Sequence, residues 1–99
     1  MAITANENLQ IIRGTVAADG TRTAGYGFTV TKTGDGTYTI TFNNDFAEPP
    51  SVVATIDGDS WYLLDNAHAA GATAQRVTIR TGDSLGAVSD RPFHFIAMG

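Results

Sequence analysis

Residues 36–56 read GTYTITFNNDFAEPPSVVATI, and their alternation decides the architecture. Tyr38, Ile40 and Phe42 interleave with Thr37, Thr39 and Thr41. This period of two sets an apolar face against a face of threonines, the pattern of a β-strand covered on one side. Phe46 and the Pro49-Pro50 pair then interrupt pairing, and a second apolar run, Val52-Val53-Ala54-Thr55-Ile56, follows. Two strands joined by a proline-punctuated corner are therefore expected.

Upstream, Tyr26–Lys32 is a strand by the same criterion, with Tyr26, Phe28 and Val30 on one face. Gly27 lies opposite them, which points to a bulge or a close backbone approach. Thr33-Gly34-Asp35-Gly36 connects this strand to the next as a hairpin. In simple register Thr29 and Thr31 share a face with Thr37, Thr39 and Thr41, and each cross-strand threonine pair contributes about 0.2–1 kcal/mol relative to alanine. Leu9–Val16 forms the first strand and ends at the turn signal Asp19-Gly20, with a loop over 21–25.

Downstream, the Val52–Ile56 strand stops at Asp57-Gly58-Asp59-Ser60. Residues 61–66 read as a short strand or irregular segment, and His68–Ala72 as small and flexible. Arg76–Thr81 alternates cleanly, with Val77 and Ile79 inward and Arg76, Thr78 and Arg80 outward. After the loop at 82–87, Pro92 opens the last strand, Phe93–Met98, with His94 facing away from Phe93 and Phe95. The expected fold is all-β: a single antiparallel β-sandwich of six to seven short strands over residues 9–99, preceded by a polar lead-in at 1–8. Its core would draw on Ile11 or Ile12, Phe28, Val30, Tyr38, Ile40, Phe42, Val53, Val77, Ile79, Phe93 and Phe95.

With 99 residues the chain supports one modest core. Charged residues make up only 16%, well below the usual quarter, and threonine, glycine, serine and asparagine take their place. Strands of this composition suit outer faces that pack against something, such as another copy. A net charge of −4, with the six basic residues scattered, lacks the basic footprint of a nucleic-acid binder and argues against an anionic membrane surface. The absence of cysteine excludes disulfides and thiolate metal sites. No signal peptide is visible in Met1–Glu7, and no apolar run approaches a membrane span.

The elements Ile12-Arg13-Gly14-Thr15-Val16, then Gly36-Thr37-Tyr38-x-Ile40-x-Phe42-x3-Phe46-x2-Pro49-Pro50-x-Val52, then Phe93-x-Phe95-x-Ala97-x-Gly99 carry a resemblance. Together they resemble small β-sandwich terminal domains of phage and bacterial tail-fibre-like proteins, and they are similar, more weakly, to H-type lectin domains. The resemblance spans roughly Leu9 to Gly99. It implies a non-enzymatic homotrimer serving assembly and receptor attachment, on a virion tail fibre or a bacterial surface. The alternative it implies is an H-type-lectin-like module that binds a cell-surface glycan.

The residues themselves name one candidate ligand site. Trp61 and Tyr62 offer aromatic faces for sugar C–H patches, and Asp57, Asp59, Asp65 and Asn66 offer acceptors and donors for hydroxyls. Trp61 as a cap on the core, or as an interface residue, accounts for the same pattern. Asp57-Gly58-Asp59 resembles the start of a calcium loop, but the twelfth position is His68 rather than a glutamate, so the motif fails. His94 would share a metal only if three copies brought their imidazoles to one axis. No metal or other cofactor is expected. No nucleophile elbow, P-loop or HExxH occurs, and Asp45 and Glu48 sit in a corner loop ill suited to acid–base work. Catalysis is not expected.

Overall fold

The computed structural model describes residues 9–58 and 63–99. The expected lead-in at 1–8 and the candidate ligand residues Asp59, Trp61 and Tyr62 lie outside them. The described chain is all-β. Its strands are β1 (Ile11–Val16), β2 (Arg22–Gly25), β3 (Phe28–Gly34), β4 (Thr37–Phe42), β5 (Ser51–Ile56), β6 (Asn66–Ala70), β7 (Arg76–Gly82) and β8 (Phe93–Met98). They form two antiparallel four-stranded sheets, ordered β2-β1-β8-β5 and β3-β4-β7-β6, in a sandwich-like arrangement.

Register follows from which residues must be dry. In the first sheet three rows point inward: Ile12–Ala97–Val52, Gly14–Phe95–Ala54 and Val16–Phe93–Ile56. In the second sheet Phe28 pairs with Phe42, Ile40 with both Val30 and Val77, and Tyr38 with Ile79. The two inner faces meet in one cluster, in which Phe28 packs edge-on to Phe95 at 4.9 Å and Tyr38 lies against Phe93 at 5.0 Å. Each such buried side chain contributes about 1.5–3 kcal/mol, most of it offset by chain entropy. The proline corner holds its place because Phe46 is buried, edge-on to Phe42 at 4.9 Å, and its amide donates to Ala74 O.

Several expectations need correction. There are eight strands rather than six or seven, because 22–25 pairs with β1 and Asn66–Ala70 pairs with β7. Val53 is not core: pairing with Ile96 turns it outward, while Val52 and Ala54 pack inward beside Ala97 and Phe95. Of the Ile11/Ile12 alternatives, Ile12 packs on the core and Ile11 is exposed. Tyr26 does not continue the inward face of Phe28. Gly25 and Gly27, at φ +92° and +91°, turn the chain between sheets and leave Tyr26 exposed. The close approach expected at Gly27 is present, since a Cβ there would stand 2.8 Å from Ile12 Cδ1.

The two ends of the sandwich differ. At one pole Gln10 and Gly99 exchange backbone hydrogen bonds beside Asn44 and Pro50. At the other, the loops are cross-tied: the Tyr38 hydroxyl donates to Ala18 O, the Gly36 amide to Asp90 Oδ1, and the Asp57 amide to Pro92 O. These ties give stability a pH window. The Gly36 amide, with Lys32 Nζ at 3.3 Å, holds the Asp90 carboxyl below its ordinary 3.8. Its unfolded form therefore binds protons first, so this contribution is present above about pH 4 and lost as pH falls through the folded value. Burial, followed by the Asp90 charge, raises the Tyr38 phenol above its ordinary 10.0, a contribution present below that pH and lost above it. Thermal melts across pH should show a plateau bounded by both limbs. Asp90→Asn should flatten the acid limb, and an unchanged limb would contradict the assignment.

Candidate functional site

Two surfaces stand out. The first is the outward face of β1-β8-β5, whose rows are Ile11–Met98–Ser51, Arg13–Ile96–Val53 and Thr15–His94–Thr55. Strand alternation drives Ile12, Ala97 and Val52 into the core, and so forces Ile11, Met98, Ile96 and Val53 out. These four are 53%, 42%, 46% and 66% exposed. A shallow hollow between β5 and β8 is lined by Val53, Thr55, His94 and Ile96. Arg13 is the one permanent charge in these rows and has no acidic partner among the described residues.

His94 closes this face at one end. Its Nε2 lies 2.9 Å from Asp57 Oδ1 and its Nδ1 lies 2.8 Å from Thr15 Oγ1. A carboxylate only accepts, so Nε2 carries the proton; in the neutral ring Nδ1 then accepts from the Thr15 hydroxyl. Asp57, expected among ligand-binding groups, is thereby engaged by His94.

The threonines form the outward face of the other sheet. Thr29 pairs with Thr41, and Thr31 with Thr39, which in turn pairs with Thr78, as simple register requires. Arg76 and Arg80 flank this array.

The second surface is a polar cleft of about 170 Å³ at the cross-tied pole, lined by Asn66, His68, Arg80, Gly82, Gly86 and Val88. Strand β6 places Asn66 and His68 outward, and His68 pairs directly with Arg80. The facing wall is the 83–88 turn. Asp83 Oδ1 accepts from the Leu85 amide (2.9 Å) and the Ala87 amide (3.0 Å), and Gly82 bridges to Val88. That carboxylate is thus spent on its own loop. Among the described residues neither His68 nor Arg80 has a side-chain hydrogen bond or an acidic partner.

Compared with family models, curated proteins and solved structures, the chain matches none.

Of the candidate ligand residues expected from sequence that are described (Asp57, Asp65 and Asn66), Asn66 alone lines the cleft. The Asp65 carboxylate faces away from solvent, 4% exposed, and accepts from Arg91 Nε at 2.9 Å. Arg91 also donates to Ser89 Oγ and Asp90 O, so the pair fastens the start of β6 to the loop before β8. His68 and Arg80 are not among the expected site residues. Arg80 is legible as an outward residue of β7, but His68 gains meaning only once Asn66–Ala70 is recognised as a strand. No group of three histidine or acidic residues suited to a metal gathers among the described residues.

Proposed function

We propose that this chain is a non-enzymatic, homotrimeric terminal domain of a fibrous phage or bacterial-surface protein, serving assembly at one sheet face and receptor attachment at its cross-tied pole. The observation that carries the proposal is the outward face of β1-β8-β5, where Ile11, Val53, Ile96 and Met98 stand together in register. A contiguous apolar face of this kind marks an interaction surface. Its occupant is a further copy of the chain. The face is bounded by β2 on one side and ends at the edge strand β5 on the other, so its two margins differ, and a head-to-tail contact between unlike margins that closes on itself makes a ring. The number three comes from the resemblance carried by the strand and proline-corner residues. The alternative, a carbohydrate-binding module like the H-type lectins, is favoured by the cleft beside Asn66 and is compatible with the same assembly.

Light-scattering chromatography over a dilution series tests this. The expected mass is three times the 10.4 kDa chain. Ile96→Asp, which sets a carboxylate in the middle of the apolar face, should return the single-chain mass while circular dichroism stays that of a β-protein. A wild-type monomer at every concentration, or a trimer indifferent to Ile96→Asp, would overturn the assignment.

A further inference from the structure

We propose that the cleft between β6, β7 and the 83–88 turn is a binding site for the carboxylate of an acidic sugar, such as a uronic acid. The proposal rests on the attachment half of the function above and names its ligand class.

The chain is acidic overall, with ten carboxylates against six basic residues, yet this cleft is lined by an arginine and a histidine with no acid among the described residues that line it. Lys32 and Arg91 are both consumed in ion pairs, and Arg22 lies over the Tyr26 ring at 5.6 Å. Asp83, the nearest acid in sequence to Arg80, is turned to the amides of its own loop. A guanidinium in a concave setting matches a carboxylate through two parallel N–H donors, which is how arginine selects planar oxyanions.

The rest of the lining fits a sugar ring better than a bare anion. The Asn66 amide carries both donors and an acceptor, and the His68 ring one of each when neutral, so together they complement vicinal hydroxyls. Val88 on the facing turn supplies apolar contact for ring C–H groups. The volume holds a carboxylate and part of one ring rather than a peptide segment, so the remainder of a glycan would project into solvent. The turn is braced by Asp83 and the Gly82–Val88 bridge, so the wall is formed before any ligand arrives.

The test is an amide-resolved NMR titration with D-glucuronic acid, D-glucose and acetate, on wild type, Arg80→Gln, His68→Ala and Arg76→Gln. Glucuronic acid should shift the amides of Asn66–His68 and Gly82–Val88. Glucose should bind at least about 10-fold more weakly, the step that loss of one charge-assisted contact entails, and acetate should bind more weakly because it lacks the hydroxyls and ring that the rest of the lining contacts. Arg80→Gln should weaken glucuronate binding by at least about 10-fold, His68→Ala should weaken it less, and Arg76→Gln, on the same sheet face outside the cleft, should leave it unchanged. Acetate matching glucuronate would overturn the sugar assignment, and so would equal losses from Arg76→Gln and Arg80→Gln. An absence of shifts at the cleft with every acidic sugar would overturn the site. Repeating the titration on Ile96→Asp keeps the two proposals separable, since that residue lies on the other sheet: a trimer that ignores acidic sugars refutes only the cleft, and a sugar-binding monomer refutes only the assembly.

Discussion

Gly14→Val should leave little folded protein at physiological temperature, and Gly14→Ala should lower the melting temperature by on the order of 15 °C, because 1 kcal/mol is worth roughly 4–8 °C in a domain of this size. Gly14 is buried in the middle of β1, opposite Phe95. A methyl group added there would stand 2.5 Å from Phe28 Cε1 and 2.8 Å from Phe95 Cε1. Those two rings make the edge-on contact that joins the sheets, so both must move and neither has slack. Overpacking of this kind costs about 1–3 kcal/mol, and the double clash places alanine at the top of that range with valine beyond it. A domain holding on the order of 5–15 kcal/mol in total has little room for such a loss. Phe28→Leu in the Gly14→Ala background should restore part of the lost stability. Unchanged thermal melts for Gly14→Ala would mean that the sheets are not packed as described.

Asp65→Ala should be the most damaging substitution outside the core. Removing one partner of a buried ion pair typically costs 3–5 kcal/mol, because the other charge is left without compensation. Arg91 is 32% exposed and keeps Ser89 Oγ and Asp90 O, so water screens part of the loss and about 2 kcal/mol is the appropriate expectation. A cycle of Asp65→Ala, Arg91→Ala and the double variant, followed by urea unfolding, should show the two single losses to be non-additive. Additive losses would place the energy in packing instead of in the pair. Asp65→Ala should also leave any glycan affinity largely intact at temperatures where the protein is folded, which separates its structural role from ligand contact.

How much of this was legible depends on how strongly each strand advertises its two faces. Tyr38–Phe42 and Arg76–Thr81 alternate large apolar residues with threonine or arginine, Phe93 and Phe95 flank His94, and all three alternations hold in the structure. Strand β6 reads Asn-Ala-His-Ala-Ala, and alanine is too small to distinguish a buried face from an exposed one, so pairing with β7 alone makes it a strand. Strand β2 has no apolar alternation at all; its place comes from Gly25, where an added Cβ would lie 2.7 Å from Gly14 Cα. The inversion of Val52 and Val53 has a different cause. Both are valines, and only the parity of the partner strand, with Ala97 inward and Ile96 outward, decides between them. The candidate site was harder still, because Asp65 and Arg91 stand 26 residues apart in sequence, and the cleft brings β6 against the 83–88 turn, so no local pattern joins either set.

The pairing of Gln10 with Gly99 has a mechanical consequence. The two residues hydrogen-bond to each other at 2.8 and 3.1 Å, so the start of β1 and the end of β8 lie side by side at the same pole. Tension applied between these two ends would peel the β1–β8 ladder one rung at a time, and such a zipper yields at low force. Tension between Gln10 and a ligand held at the far cleft runs along the strands instead, and because β1 and β7 lie in different sheets it is carried by the packed interior between them and opens no ladder from its end. The same fold is thus weak to stretching by its own backbone and strong against a pull on its tip.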